Sequence, residues 1–166
     1  MLSVYKIRQF FIILFLCGSL LQAFSVNADE EIPFAQKIFS MQKYLAERGN
    51  ALSQYKLGLF YELGMSVEPN REKALEWYKK ALTKGHKAAV NRITYLNVKQ
   101  QGYNAFDHSD WINRIKHESS KGNIHSTIIL GQLFHHGLGL KQDYNKALKY
   151  FKIATAKGYF EINYEM

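Results

Sequence analysis

The strongest constraint in this sequence is that it repeats itself at a spacing of 73 residues. The matching segments are Gly49-Asn50 and Gly122-Asn123, Leu57-Gly58 and Leu130-Gly131, and Lys73-Ala74-Leu75 and Lys146-Ala147-Leu148. Gly85 lies 36 residues after Gly49 and 37 before Gly122, which indicates a third, degenerate copy between the two clear ones. Self-similarity at such a period is the signature of a tandem array of small structural repeats.

Each repeat unit carries the pattern of two helices. Leu57 and Tyr61 are four residues apart and predict one face of a first helix, which Gly64 ends by tolerating a left-handed backbone. Asn70 and the equivalent Asp143 are predicted N-caps of the second helices, because their side-chain oxygens can accept from free backbone amides. In the second helices small alanines alternate with aromatic rings, so neighbouring helices can nest against one another.

The predicted divisions of the chain follow from this repeat. They are a half-unit at 34–48, repeats at 49–84, 85–121 (degenerate) and 122–157, and a C-terminal tail at 158–166. Ile38, Met41 and Leu45 are expected to form the apolar face of the half-unit. One helix pair cannot bury its own apolar stripe, so the units must cover one another, and the tail leaves surface that a partner or a second copy would cap.

The first 28 residues follow a different pattern. Lys6 and Arg8 precede an apolar run from Phe10 to Leu21, and small residues then permit cleavage after Ala28 or, alternatively, after Ser25. This is the layout of a secretory signal peptide, and the run is shorter than the roughly 20 apolar residues of a membrane-spanning helix. We expect a signal peptide at 1–28, a repeat domain at 29–166, and a periplasmic or secreted protein. An uncleaved membrane anchor is the alternative, and this segment would then be the only membrane contact.

Composition excludes several classes of site. Cys17 is the only cysteine and lies in the predicted signal peptide, so the mature chain has no disulfide, thiol nucleophile or cysteine metal ligand. The net charge is +8, but the lysines are dispersed over the second helices. Nucleic-acid binding would need a denser basic stripe and is not expected. Lys79, Lys80, Lys149 and Lys152 leave open an anionic envelope polymer such as peptidoglycan or a polysaccharide as an alternative partner.

These signatures resemble the Sel-1-like repeat family, a relative of the tetratricopeptide repeats. In the first unit they are Leu57-Gly58, Tyr61, Gly64-x-Ser66-Val67, Asn70, Ala74, Trp77-Tyr78, Ala81 and Gly85. In the last unit they are Leu130-Gly131, Phe134, Gly137-x-Gly139-Leu140, Asp143, Ala147, Tyr150-Phe151, Ala154 and Gly158. Ser66 replaces a family glycine, and the middle copy lacks both the Leu-Gly and the Gly-x-Gly-Val signatures.

The resemblance implies an all-α fold, a right-handed α-α superhelical solenoid of about three helix-turn-helix repeats. It also implies an exported adaptor or scaffold of the cell envelope that binds another protein through its concave face. Partner contacts are predicted on the side of the first helices away from the buried stripe, at Tyr55, Leu59, Glu62, Ile128, Gln132 and His135. The alternative is that some of these side chains pack against the adjacent repeat.

No catalytic, metal or cofactor site is predicted. His135 and His136 are adjacent, and neighbouring helical residues point about 100° apart, so the two rings cannot chelate one ion. Glu72 and Glu76 are followed by lysines one turn later, which is ordinary helix charge pairing. We therefore expect a binding protein without a cofactor, and an enzyme acting on an envelope polymer is the least favoured alternative.

Overall fold

The computed structural model describes residues 33–156, which form an array of α-helices without a β-strand. The helices are α1 Phe34–Glu47, α2 Ala51–Leu63, α3 Arg71–Thr83, α4 Ala88–Gln101, α5 Ala105–Ser120, α6 Ile124–His136 and α7 Tyr144–Ala156. They lie in one compact unit that begins at Phe34. The predicted signal peptide and C-terminal tail lie outside the described residues.

The helices pack mainly on their neighbours in the chain. Helix α2 packs on α1 and α3, α3 on α4, and α6 on both α5 and α7, while the first helices α4 and α6 also meet directly. Contacts of this kind, in which each unit covers the next, are those of a linear repeat array. The predicted fold class, an all-α solenoid of helix-turn-helix repeats, is confirmed.

Side-chain caps and left-handed residues delimit the helices as predicted. Asn70 Oδ1 accepts from Lys73 N at 2.8 Å, and Asp143 Oδ1 accepts from Lys146 N at 2.9 Å. Gly64 ends α2 with φ at 70°. Ser66, which replaces a family glycine, also has a positive φ of 59°. The turn therefore keeps a left-handed residue at this position in spite of the cost to a residue with a Cβ.

The recurring Leu-Gly pairs mark close approaches between the two helices of a unit. An added Cβ at Gly58 would overlap the Tyr78 ring, and one at Gly131 would lie 2.6 Å from the Phe151 ring. Each ring thus lies directly on the backbone of the first helix. In the middle repeat Thr94 stands at the corresponding position, and its two helices, α4 and α5, do not approach as closely as α2 and α3.

The half-unit α1 is rotated by one residue from its predicted orientation. Its buried residues are Phe39, Gln42 and Ala46, whereas Met41 is 49% exposed, so the expectation for Met41 is wrong. The Phe39 ring packs edge-on against Phe60 at 5.4 Å, and this aromatic contact sets which face of α1 meets α2.

None of the helices between Phe34 and Ala156 combines the length and apolarity needed to cross a bilayer.

Candidate functional site

The predicted partner contacts lie mostly inside the repeat array. Tyr55, Leu59, Ile128 and Gln132 are all at most 3% exposed. The expectation that this row faces away from the packed interior is therefore wrong for these four residues, because α2 and α6 are enclosed by helices on more than one side. The Glu62 carboxylate is also nearly buried, and His135 is half-buried. A direct partner contact stays a prediction for His135 and for the edge of Glu62.

A buried arginine that the sequence did not single out joins two of the predicted residues. Arg92 on α4 donates from Nη1 to Glu62 Oε1 at 3.1 Å and to Gln132 Oε1 at 2.8 Å. Glu62 belongs to the first repeat, Arg92 to the middle repeat and Gln132 to the last. The Arg92 side chain is 1% exposed and the Glu62 side chain 4% exposed. This nearly buried network therefore ties the three repeats together.

Tyr78 completes the coordination of the Glu62 carboxylate. Its hydroxyl donates to Glu62 Oε2 at 2.6 Å. Burial raises the pKa of Tyr78 well above its usual value, and the adjacent Glu62 carboxylate raises it further. The phenol therefore stays protonated and remains a donor. The two oxygens of the Glu62 carboxylate thus accept from Tyr78 and Arg92, one each.

A cluster of imidazole and phenol rings lies next to the same network. Tyr55 Oη and His125 Nδ1 are 3.0 Å apart, and the His86 ring stacks on Tyr55 with centroids 4.4 Å apart. Burial lowers the pKa of His125 to about 4, and the nearby Arg92 and His86 add to this effect. His125 is therefore neutral at pH 7. Among residues 33–156 no group of three or more His, Cys, Asp or Glu side chains is arranged to hold a metal ion.

A cleft of about 440 Å³ opens beside Glu62, between the α2–α3 turn and the C-terminal half of α4. We call it the Arg71 cleft. Arg71, Lys99 and Gln100 supply donors to its lining, and Pro69 and Leu96 supply apolar surface. Its lining includes one of the predicted contact residues, Glu62.

The guanidinium of Arg71 is partly fixed and partly unsatisfied. Its Nη2 donates to Asn97 Oδ1 at 3.1 Å, which connects α3 to α4. Its Nε is buried and has no hydrogen-bond partner among the described residues. Buried donors are nearly always satisfied in native proteins. A carbonyl or carboxylate oxygen entering the Arg71 cleft would instead meet the side-chain donors of its lining, on Arg71, Lys99 and Gln100.

The exposed charges form ordinary local pairs. Lys80 Nζ lies 2.6 Å from Glu76 Oε1, four residues earlier on α3, which confirms the predicted helix pairing. This pair lowers the pKa of Glu76, through the hydrogen bond and the charge of Lys80. Lys80 also lies 4.2 Å from the Trp77 ring centroid. These side chains therefore offer a solvated surface and no convergent acid–base pair.

A family model described as Sel1 repeat matches residues 51–86 and 125–159. The chain is 30% identical over 110 residues to the ERAD-associated E3 ubiquitin-protein ligase component HRD3B of Arabidopsis thaliana, covering 66% of this chain and 17% of that protein. It is 33% identical over 113 residues to the human protein sel-1 homolog 2, covering 62% of this chain and 16% of that protein. It thus spans less than a fifth of the length of these relatives.

Two solved structures are also similar. One is a Sel1 repeat protein from Oxalobacter formigenes, at 24% identity and a TM-score of 0.42, covering 75% of this chain and 50% of that one. The other is c5321, a protective antigen of uropathogenic Escherichia coli with an SLR fold, at 26% identity and a TM-score of 0.38, covering 75% of this chain and 26% of that one.

Proposed function

Because this chain belongs to the Sel1-like repeat family, whose repeats serve as protein–protein interaction scaffolds, we propose that it is a non-catalytic adaptor that holds a partner protein at the cell envelope. The observation that carries the proposal is the Arg71 cleft. A segment of the partner would lie between the α2–α3 turn and α4, and its main-chain or carboxylate oxygens would accept from the side-chain donors of Arg71, Lys99 and Gln100.

The surroundings of the Arg71 cleft support this role. The Glu62–Arg92–Gln132 network fixes α2, α4 and α6 relative to one another, so the cleft is preorganised and little ordering is needed on binding. Its volume lies in the range of sites that bind small groups or a few side chains. The mixture of apolar and hydrogen-bonding groups fits a peptide segment better than a purely ionic ligand.

The envelope location rests on the N-terminal sequence pattern. A basic start, an apolar run of 12 residues and small residues before Asp29 are typical of a signal peptide. N-terminal sequencing of the protein after cell fractionation tests this point. We expect a chain that begins after Ala28 or Ser25 in the periplasm or the medium. Recovery of the intact chain from the cytoplasm would contradict export.

The partner role is tested by site-specific photo-crosslinking in the native cell. A photo-reactive amino acid at Gln100, an exposed residue of the Arg71 cleft, should capture one protein reproducibly, which mass spectrometry then identifies. The matched control places the same amino acid at Lys43, an exposed residue of α1 outside this cleft. The Arg71→Gln variant should lose the Gln100 product. Equal capture from both positions, or capture unaffected by Arg71→Gln, would contradict the proposal.

An anionic envelope polymer is the second candidate partner. It is favoured by the exposed lysines Lys79, Lys149 and Lys152, although Lys80 is already paired with Glu76. This candidate predicts salt-sensitive retention on isolated envelope material, lost when Lys79, Lys80, Lys149 and Lys152 are all changed to Glu. Recovery of polymer without a protein in the crosslinking experiment would place it first.

A further inference from the structure

A second cleft, of about 540 Å³, lies on the other side of the middle repeat, between the C-terminal part of α5 and the centre of α7. We call it the Lys116 cleft. Leu130, Tyr150 and Ile153 supply apolar surface to it. Ile153 is 37% exposed, and the Tyr150 ring is held in place by stacking on Phe134 with centroids 5.7 Å apart. Leu130 is only 2% exposed, so Ile153 and Tyr150 form the apolar surface that is open to solvent.

Both charged residues that line this cleft are lysines. Lys116 comes from α5 and Lys149 from α7, and both are exposed. Neither forms an ion pair with any residue in 33–156, in contrast to Lys80 and Lys146, which pair with carboxylates. Among residues 33–156 no acidic residue lines the cleft. The charged groups of this lining are therefore positive, which favours a negatively charged occupant.

Three of the hydroxyl groups in the Lys116 cleft are already engaged within the chain. Ser119 Oγ and Thr127 Oγ1 are 3.0 Å apart, and Ser120 Oγ donates to the His117 carbonyl at 2.8 Å. A sugar polymer would need many free hydrogen-bonding groups, and these three hydroxyls are already bonded within the chain. An aliphatic or aromatic side chain flanked by carboxylates matches the available surface better.

We propose that the Lys116 cleft docks an acidic segment of a partner protein, with one apolar side chain against Tyr150 and Ile153 and carboxylates beside Lys116 and Lys149. The inference rests on the proposed function as a protein scaffold and adds a second docking surface of stated chemistry. Because the Arg71 cleft and the Lys116 cleft share no lining residue, each can fail without the other.

The test measures binding of a peptide with fluorescein on its N-terminal amine, fluorescein-Gly-Asp-Leu-Glu-Glu-Phe-Gly-amide, to the full-length chain by fluorescence anisotropy in 50 mM salt. The comparison peptide carries Asn and Gln in place of Asp and Glu. We expect the acidic peptide to bind and the neutral one to bind at least about fivefold more weakly. The double variant Lys116→Glu/Lys149→Glu should weaken the acidic peptide about tenfold, since two attractions become repulsions. Ile153→Ser should weaken both peptides.

The matched control is Lys43→Glu/Lys79→Glu, which makes the same change in net charge at exposed lysines outside the cleft. It should leave binding within about twofold of the native chain, because exposed charges beyond a Debye length are largely screened. Circular dichroism shows whether each variant is folded. No binding of the acidic peptide, or equal loss in the control and the cleft variant, would overturn the proposal. Displacement of the peptide by dextran sulfate would also overturn the proposal if the concentration of sulfate groups needed were lower than the concentration of the peptide's carboxylates. That result would indicate a polymer site. If the native chain gave no specific crosslink from Gln100 but still bound the acidic peptide, the Arg71 cleft alone would be refuted.

Discussion

Replacement of Arg92 by Met should destabilise the fold far more than removal of any exposed lysine. Met has a comparable length and keeps the apolar contacts of the stem, but it removes the positive charge. The Glu62 carboxylate would remain buried with only Tyr78 as a donor, and Gln132 would lose the 2.8 Å bond from Arg92. Breaking a buried ion pair from one side costs about 3–5 kcal/mol.

The structure also gives the expected coupling between the two charged residues. Glu62→Gln alone leaves the Arg92 guanidinium buried beside a neutral amide, and Arg92→Met alone leaves the carboxylate without its cation. The double variant leaves no buried charge, so it should cost about 2 kcal/mol less than the two single changes added together. Lys80→Met removes an exposed pair with Glu76 and should lower the free energy of unfolding by less than about 1 kcal/mol.

Urea unfolding followed by far-ultraviolet circular dichroism gives these free energies for the native chain and the four variants. A loss below about 1 kcal/mol in Arg92→Met would refute the reasoning, because a residue that joins three repeats in the interior cannot be that inexpensive to remove. Strict additivity of Glu62→Gln and Arg92→Met would refute it as well. It would mean that Arg92 and Glu62 do not stabilise each other, although their charged groups lie 3.1 Å apart.

Three further predictions concern individual positions. The pKa of His125 is about 4 in the folded chain, below its ordinary value of 6.5, so the unfolded chain binds more protons between these pH values. The free energy of unfolding should therefore be undiminished above pH 6.5 and fall by at most about 3 kcal/mol as the pH is lowered towards 4. Urea titrations at each pH should show a less steep fall in His125→Gln. Gly58→Ala should lower stability by about 1–2 kcal/mol, because overlap with the Tyr78 ring outweighs the gain in helix propensity, and an unchanged thermal midpoint would contradict it. Asn123→Ala should cost about 1 kcal/mol by removing the 3.0 Å cap to Ser126 N, whereas Asn145→Ala, at an exposed position of α7, should cost less than about 0.5 kcal/mol in the same melt.

The sequence predicted the features that depend on local chemistry. The caps at Asn70 and Asp143 and the left-handed Gly64 each follow from a residue type whose geometry is nearly independent of its surroundings. These signals suffice for the order of the helices and for the fold class.

The candidate site depended on which sides of the first helices are covered, and there the prediction of an open side failed. Helix α2 packs on both α1 and α3, so its buried residues run almost continuously from Ser53 to Phe60. A helix enclosed in this way loses the one-sided apolar stripe from which an exposed face is read. Tyr55 and Leu59 were therefore indistinguishable in sequence from surface residues. Arg92 was missed for the opposite reason, since an arginine is rarely buried unless it is paired, and its partners come from other repeats.

The middle repeat shows how the array tolerates the loss of its family signature. Where the outer repeats place a ring on a glycine, the middle one has Thr94 and uses directional polar contacts instead. Trp111 Nε1 donates to Asn91 Oδ1 at 3.3 Å, Asn91 Nδ2 donates to Glu118 Oε2 at 3.2 Å, and Ser126 Oγ donates to the same carboxylate oxygen at 2.5 Å. This chain of bonds links α5 to α4 and to α6.

These polar contacts have consequences for both clefts, because the middle repeat contributes a wall to each. Helix α4 supplies Leu96 and Lys99 to the Arg71 cleft, and α5 supplies Lys116 and Ser119 to the Lys116 cleft. Hydrogen bonds constrain angle and offset more narrowly than apolar packing does, so the bonds at Asn91 and Glu118 set the position of α4 and α5 relative to the outer repeats. Asn91→Leu is therefore expected to weaken binding in both clefts although it lines neither. A substitution confined to one cleft, such as Ile153→Ser, should leave the other unchanged, and that contrast separates a shared framework from two independent surfaces.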